Sequence, residues 1–282
     1  MARRKKPRPK TPPTTTPAPI QPDLRDRILA DFATLKIPLA ADAFDAALAR
    51  AQREGLSHQQ FLHLIIAEQA NQRRERSIAA RIREARFAER KPLAEFDWEF
   101  NKAAIDRVQI EELATGAFIQ RRDNLVFVGQ SGVGKSYLVQ SIAESAAVRG
   151  YSVRYTTSAA LLTDLTKSLA DHTLPRRVRY YARFDLLAID EFAFDRIERT
   201  VSPQAANLLY KIIDARSRKR STALVTNIDF DAWGDYLGDP PLAMAFLDRI
   251  VDGAIILKIN GKSYRAHRGR QSKSDPPRKP ER

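Results

Sequence analysis

Three short stretches put chemically useful side chains at the ends of apolar runs: GQSGVGKS at residues 129–136, Asp190-Glu191, and Thr226-Asn227. The first sets three glycines in six positions of a chain that has 11 glycines in 282 residues, and follows them with a lysine and a serine. Glycine, four residues, then Gly-Lys-Ser is the spacing at which backbone N–H groups converge on a phosphate at a helix N-terminus, where the helix dipole also favours an anion. Gly132 and Gly134 let the backbone close around a β-phosphate, Lys135 reaches the β- and γ-phosphates, and the Ser136 hydroxyl is placed to hold Mg2+. The nucleotide contacts expected are therefore Gly129, Gln130, Ser131, Gly132, Val133, Gly134, Lys135, Ser136 and Tyr137. In FDLLAIDE an apolar run delivers Asp190 to the Mg2+ shell and Glu191 beside it to polarise a water. That second carboxylate favours hydrolysis over phosphate transfer to a bound metabolite. Asn227 brings an amide close to the γ-phosphate and the same water. No NKxD base-reading motif occurs in the sequence, which points to ATP as the nucleotide.

For these residues to act together, a strand must end at the first glycine and a helix must begin at the lysine. Residues 125–128 read as a short buried strand, and 136–149 as a helix with Val139, Ile142, Ala143 and Ala146 on one face and Gly150 as its stop. Residues 151–155 form the next expected strand and 159–169 a helix. LPRRVRYYARFD follows as a polar, basic stretch, and FDLLAID as a fully apolar strand. Ser202 and Pro203 suit the N-cap and first position of a helix that buries Leu208, Leu209, Ile212 and Ile213. TALVTN and GAIILKI close the series as strands. Strands alternating with helices of this length predict an α/β fold, a P-loop parallel sheet with helices on both faces. Upstream, residues 23 to about 90 show helical spacing only, with Gly55 ending one helix and Ser57 with Gln60 forming a capping box for the next.

Composition narrows the function. The chain has no cysteine, which excludes disulfides, thiolate metal sites and cysteine nucleophiles and suits a reducing cytoplasm. No apolar run approaches the roughly 20 residues of a membrane helix, so no membrane partner is expected. The formal charge is +14, and the ends carry nearly all of it: six Lys/Arg and no acid in residues 1–20, eight against two in 262–282. Both ends are proline-rich and poor in apolar residues, as expected of disordered basic arms (1–22 and 266–282) that attract nucleic acid through counterion release. A second basic run, NQRRERSIAARIREARFAERK, contains Arg73, Arg74 and Arg81 and is either a solvated helix face or a phosphate-contacting one. KPLAEFDWEF marks a junction, so a small all-helical domain is expected at 23–95 and the ATPase domain at 96–265.

The combination NLVFVGQSGVGKS, LLAIDE, PQAANLLYKII, VTN, WGDYLGDPPLAMAFLDRI and GKSYR, with FDWEFNKAAIDRVQIEELATGAFI upstream, resembles the IstB-like transposition helper ATPases. These are relatives of the helicase loader DnaC and the initiator DnaA within the AAA+ class, and the resemblance covers roughly residues 23–265. It implies an AAA+ sheet without a separate lid domain. It also implies a Mg2+-dependent ATPase that assembles on duplex DNA and recruits or activates a transposase encoded by a neighbouring gene. By that likeness Arg249, in FLDRI, is the arginine finger reaching the γ-phosphate of a neighbouring subunit, and Arg265, in GKSYR, is a second sensor. A finger acting in trans requires a head-to-tail homo-oligomer, a ring or a spiral filament. Lys167, Arg176 and Arg177 fall where related ATPases line the nucleic-acid path. The alternatives are a DnaC-like helicase loader, which would prefer single strands and a hexameric helicase, and a small-molecule P-loop kinase.

Overall fold

A computed structural model describes residues 22–193 and 204–267. The two basic arms lie almost wholly outside the described residues, and so does the Ser202-Pro203 cap. The chain divides into two compact units between Glu75 and Arg76.

The smaller unit contains α1 (Pro22–Thr34), α2 (Ala41–Glu54) and the start of α3 (His58–Ala85). Gly55, at φ +61°, closes α2 and donates its N–H to Ala51 O. The Ser57/Gln60 box forms as expected: Ser57 N–H donates to Gln60 Oε1 at 2.8 Å and Gln60 N–H to Ser57 Oγ at 3.3 Å. Arg25 binds Asp45 of α2, and the Phe44 and Phe61 rings meet edge to face at 6.5 Å.

The division comes earlier than the boundary expected at residue 95. The last turns of α3 belong to the larger unit because Ala85 is fully buried in its core, with Ile82 packed against it. After α3 come a 3-10 turn (Leu93–Glu95), α4 (Arg107–Ala114), α5 (Ala117–Arg121), β1 (Asn124–Gly129) and α6 (Lys135–Arg149). Then follow β2 (Val153–Thr157), α7 (Ser158–Ala170), α8 (Leu174–Ala182), β3 (Leu186–Phe192), α9 (Ala205–Arg216) and β4 (Ser221–Thr226). The series ends with α10 (Trp233–Leu237), α11 (Pro240–Val251) and β5 (Ala254–Ile259).

Among the described residues five strands form one parallel sheet, in the order β2-β3-β4-β1-β5. Side chains alternate between two cores. Leu125 and Phe127 of β1 join α4 and α6 on one face; Val126 and Val128 join α7, α9 and α11 on the other. Both faces are covered, which is why β1 and the start of β3 read as apolar runs. The carboxyl ends of β1, β3 and β4 share one edge. The sequence changes direction there, since β1 lies between β4 and β5, and such a switch point is where parallel sheets hold ligands. Among the described residues, β5 is followed by only a single helical turn near residue 265, and no helix is long and apolar enough to cross a membrane.

Two local readings change. Residues 174–182, read only as a polar, basic stretch, form α8, because Pro175 suits its first turn and Tyr181 anchors it in the core. The second strand begins two residues later than expected, at Val153, after Gly150 has closed α6 in the left-handed conformation. Arg216, 1% exposed, ties these parts together: it donates to the carbonyls of Tyr181, Phe184 and Ser221 and to Thr222 Oγ1. Burial pushes its pKa down to about 9, which leaves the guanidinium charged at neutral pH.

Gly129 ends β1 opposite Ile259 of β5, at φ +154°, where a Cβ would stand 2.2 Å from Ile259 O. Gly129→Ala is therefore expected to force the two strand ends apart and cost about 3 kcal/mol. Thermal unfolding checks this, and an unchanged Tm would refute the close approach.

Candidate functional site

The loop expected to bind phosphate connects the end of β1 to α6. Gly134, at φ +109°, is the N-cap of α6 and offers no side-chain cap. The first bond of the helix runs from Leu138 N–H to Gly134 O, so the amides of residues 135–137 precede any helical acceptor and suit an anionic ligand. Lys135 is 7% exposed and donates from Nζ to Gly129 O at 2.6 Å and Gln130 O at 2.8 Å. Burial pushes its pKa below the ordinary lysine value; Asp190 opposes that shift and Arg265 adds to it.

Asp190, 2% exposed, accepts hydrogen bonds from Ser136 Oγ at 3.0 Å, from Tyr155 OH and from Glu191 N–H at 2.8 Å. In a regular strand Asp190 and Glu191 would point to opposite faces of the sheet. Here both line one cavity. The register of β3 against β4 slips between Ile189 and Phe192, and Glu191 takes the left-handed conformation, φ +56°, that a residue with a Cβ adopts only at a cost of about 1 kcal/mol or more. The bulge exposes Glu191 between two buried neighbours, and Ser158 Oγ holds its carbonyl at 3.0 Å.

Tyr155, on β2, was not foreseen. Burial and the facing Asp190 carboxylate raise its pKa well above the ordinary tyrosine value, so it stays a donor, and Gln140 Nε2 donates to its oxygen at 3.1 Å. A polar aromatic residue in an otherwise buried strand beside the carboxylate strand is the signal that could have found it.

The cavity, about 540 Å3, is lined by Ser131 to Tyr137, Asp190, Glu191, Asn227 and Arg265. Asn227 stands exposed past the end of β4. The remaining wall is the stretch from Glu89 to Asn101, expected only as a junction. It is fastened to α6 by Tyr137 OH donating to Pro92 O at 2.9 Å, Ser141 Oγ to Lys91 O at 2.5 Å, and the Arg90–Glu144 ion pair at 2.6 Å. Phe96 packs against Tyr137 at 5.2 Å, and Phe100 against Tyr264 at 5.0 Å, giving the cavity an aromatic side.

The other candidates lie elsewhere. Arg249, on α11, is outside the cavity lining; its Nε donates to Asp214 Oδ1 at 2.6 Å and its guanidinium sits over the Tyr210 ring at 5.6 Å. Arg73 and Arg74 are exposed on α3, and Lys167 and Arg176 are exposed on α7 and α8. Arg81 and Arg177 do not share this availability. Arg81 donates to Ala147 O and Ser77 Oγ, and Arg177 is bound to Asp164 between the rings of Tyr180 and Tyr181. Each keeps further guanidinium N–H groups beyond these internal bonds.

Residues 30–272 match the family described as IstB-like ATP binding protein. The insertion sequence IS232 putative ATP-binding protein of Bacillus thuringiensis subsp. berliner is 37% identical over 193 residues, 68% of this chain and 75% of that protein. The insertion sequence IS5376 putative ATP-binding protein of Geobacillus stearothermophilus is 30% identical over 242 residues, 86% of this chain and 94% of that protein. Among solved structures, the crystal structure of DnaI aligns with a TM-score of 0.50 at 22% identity, covering 60% of this chain and 91% of that one, a likeness of fold.

Proposed function

This chain belongs to the IstB-like ATP binding protein family, and from that premise we propose that it is an ATP-dependent, DNA-binding regulator of transposition. In this reading it assembles on duplex target DNA, recruits or activates a transposase encoded by a neighbouring gene, and hydrolyses ATP at subunit interfaces. The observation that carries the reading is the meeting of Lys135, Ser136, Asp190, Glu191 and Asn227 at one cavity beside an uncapped helix N-terminus.

The chemistry follows from these side chains. The amides at the start of α6 receive the phosphates, and Lys135 turns from the carbonyls of Gly129 and Gln130 to the β- and γ-oxygens. The aromatic side of the cavity, Phe96, Phe100 and Tyr264, suits a purine base. Ser136 Oγ and the Asp190 carboxylate, 3.0 Å apart, are hard oxygen donors and would hold Mg2+, which when bound neutralises charge on the β- and γ-phosphates. Tyr155 keeps Asp190 oriented, Glu191 polarises the attacking water, and Asn227 holds that water and the γ-phosphate. Arg265 acts as a second sensor within the chain, and Arg249, outside its own cavity, completes the site of a neighbouring copy.

Support for nucleic acid as partner comes from the +14 charge and from the exposed Arg73, Arg74, Lys167 and Arg176. The small helical unit serves DNA binding and assembly, the basic arms add non-specific attraction, and the cytoplasm is the compartment. The names of the relatives tie those proteins to insertion sequences and so support a transposase as partner.

Electron microscopy of the chain with duplex DNA and a non-hydrolysable ATP analogue tests the reading. Rings or filaments that need both ligands are expected, and their absence would sink it. A preference for single strands with capture of a hexameric helicase would favour the helicase loader, and phosphate transfer to a metabolite would favour the kinase.

A further inference from the structure

We propose that Asn101 is a positioning residue that clasps the segment 261–266 onto the phosphate-binding loop and so fixes where Arg265 stands at the cavity. The inference rests on the reading above only in treating Arg265 as a group that meets the nucleotide.

Asn101 is 8% exposed, and its side chain joins two stretches that are remote in sequence. Nδ2 donates to Val133 O in the loop at 3.3 Å and to Lys262 O at 3.0 Å; Oδ1 accepts from Lys262 N–H at 3.0 Å. The carboxamide thus pairs with both backbone groups of residue 262 as a strand neighbour would, while holding the loop with its second N–H. All three contacts use the amide's distinct donor and acceptor ends, so neither a hydrocarbon nor a carboxylate can replace it.

Two glycines make room for this contact. A Cβ on Gly261 would lie 2.7 Å from Asn101 Cγ and Oδ1, and a Cβ on Gly132 would lie 2.3 Å from Ser263 Oγ. Tyr264 N–H donates to Gly132 O at 2.9 Å, and the Phe100 ring, next to Asn101, packs on Tyr264 and His267 at 5.0 Å each. The last strand ends at Ile259, so these contacts, and not sheet pairing, hold the backbone that carries Arg265. Arg265 itself is exposed. An exposed arginine on an unpaired segment loses much of its effect to chain entropy unless its backbone is pinned.

The test uses the full chain, a fluorescent ATP analogue with Mg2+, and hydrogen exchange of the amides of 262–266. Asn101→Ala and Arg265→Ala are each expected to raise Kd about tenfold, and the double variant no more than the worse single. Asn101→Ala speeds exchange at Tyr264, whereas Arg265→Ala leaves it unchanged. Gly261→Ala, which leaves Asn101 itself in place, reproduces the faster exchange and adds nothing in the Asn101→Ala background. Unchanged exchange in Asn101→Ala, or a double variant weakened about a hundredfold, overturns the proposal. Faster exchange in Asn101→Ala alongside normal binding by Arg265→Ala upholds the clasp and removes Arg265 from the nucleotide site.

Discussion

Glu191→Gln is expected to lower steady-state ATP turnover by about a hundredfold or more while leaving the Kd for ATP within about threefold of the unaltered chain. The asymmetry follows from how Glu191 is held. Its structural contacts are made by backbone: its N–H donates to Asp190 Oδ1 and its carbonyl accepts from Ser158 Oγ. Glutamine has the same shape, so the left-handed turn at φ +56° and the bulge of β3 persist. Ser136 and Asp190 are untouched and keep their mutual contact, and the Lys135 ammonium remains in place for the phosphates. What disappears is one negative charge lining the cavity, the group proposed to polarise the water. Phosphate release and equilibrium binding of a fluorescent ATP analogue, measured on the same preparation, separate the two effects. Retained turnover would mean that the water is activated by another group; lost binding would mean that the charge at 191 supports the ground state.

The asymmetry also illustrates what pattern alone can and cannot reveal. β1, the loop glycines and α6 follow from local spacing, and α6 begins and ends within a residue of expectation because Gly134 and Gly150 bound it. The order of the strands along the chain was likewise readable, since both faces of the sheet are covered and β1 and β3 carry apolar runs. That Asp190 and Glu191 meet at one site was read from the motif and not from alternation, which predicts opposite faces and is overridden by the bulge. α8 went unread although Leu174, Val178 and Tyr181 recur at helical spacing, because its arginines made the stretch read as a basic run. Tyr155 and Asn101 act across separations of 35 and 161 residues, and only the polar ring of Tyr155 within its strand gives a local sign. Arg81 and Arg177 look like their neighbours in a charge run, yet each turns its Nε inward, to a carbonyl and a carboxylate of the fold. The unit boundary leaves no trace in composition, because it falls within the helical turns of α3.

In the proposed assembly the remaining charge at the γ-phosphate comes from a neighbouring copy, and mixing two inactive variants tests this. Arg249→Ala alone is expected to lose about a thousandfold in turnover, the scale of a missing arginine finger, and Lys135→Ala to lose nucleotide binding. Mixed in equal amounts, the two are expected to recover about a quarter of full activity. In a head-to-tail assembly each site joins the phosphate loop of one copy to Arg249 of the next. A junction is intact when its loop comes from an Arg249→Ala subunit and its finger from a Lys135→Ala subunit. With random exchange, and f the fraction of one variant, intact junctions vary as f(1−f) and peak at equal amounts. The geometry favours this outcome. Arg249 lies outside its own cavity, with Nε fixed by Asp214 and the guanidinium over Tyr210, so its position on α11 is set before any partner arrives. A finger acting within its own chain gives no recovery at any ratio, because every subunit then carries a broken site. An Arg249→Ala variant that is active alone removes the finger altogether. A curve with its maximum at equal amounts is therefore the result that makes the nucleotide site a property of the interface between copies.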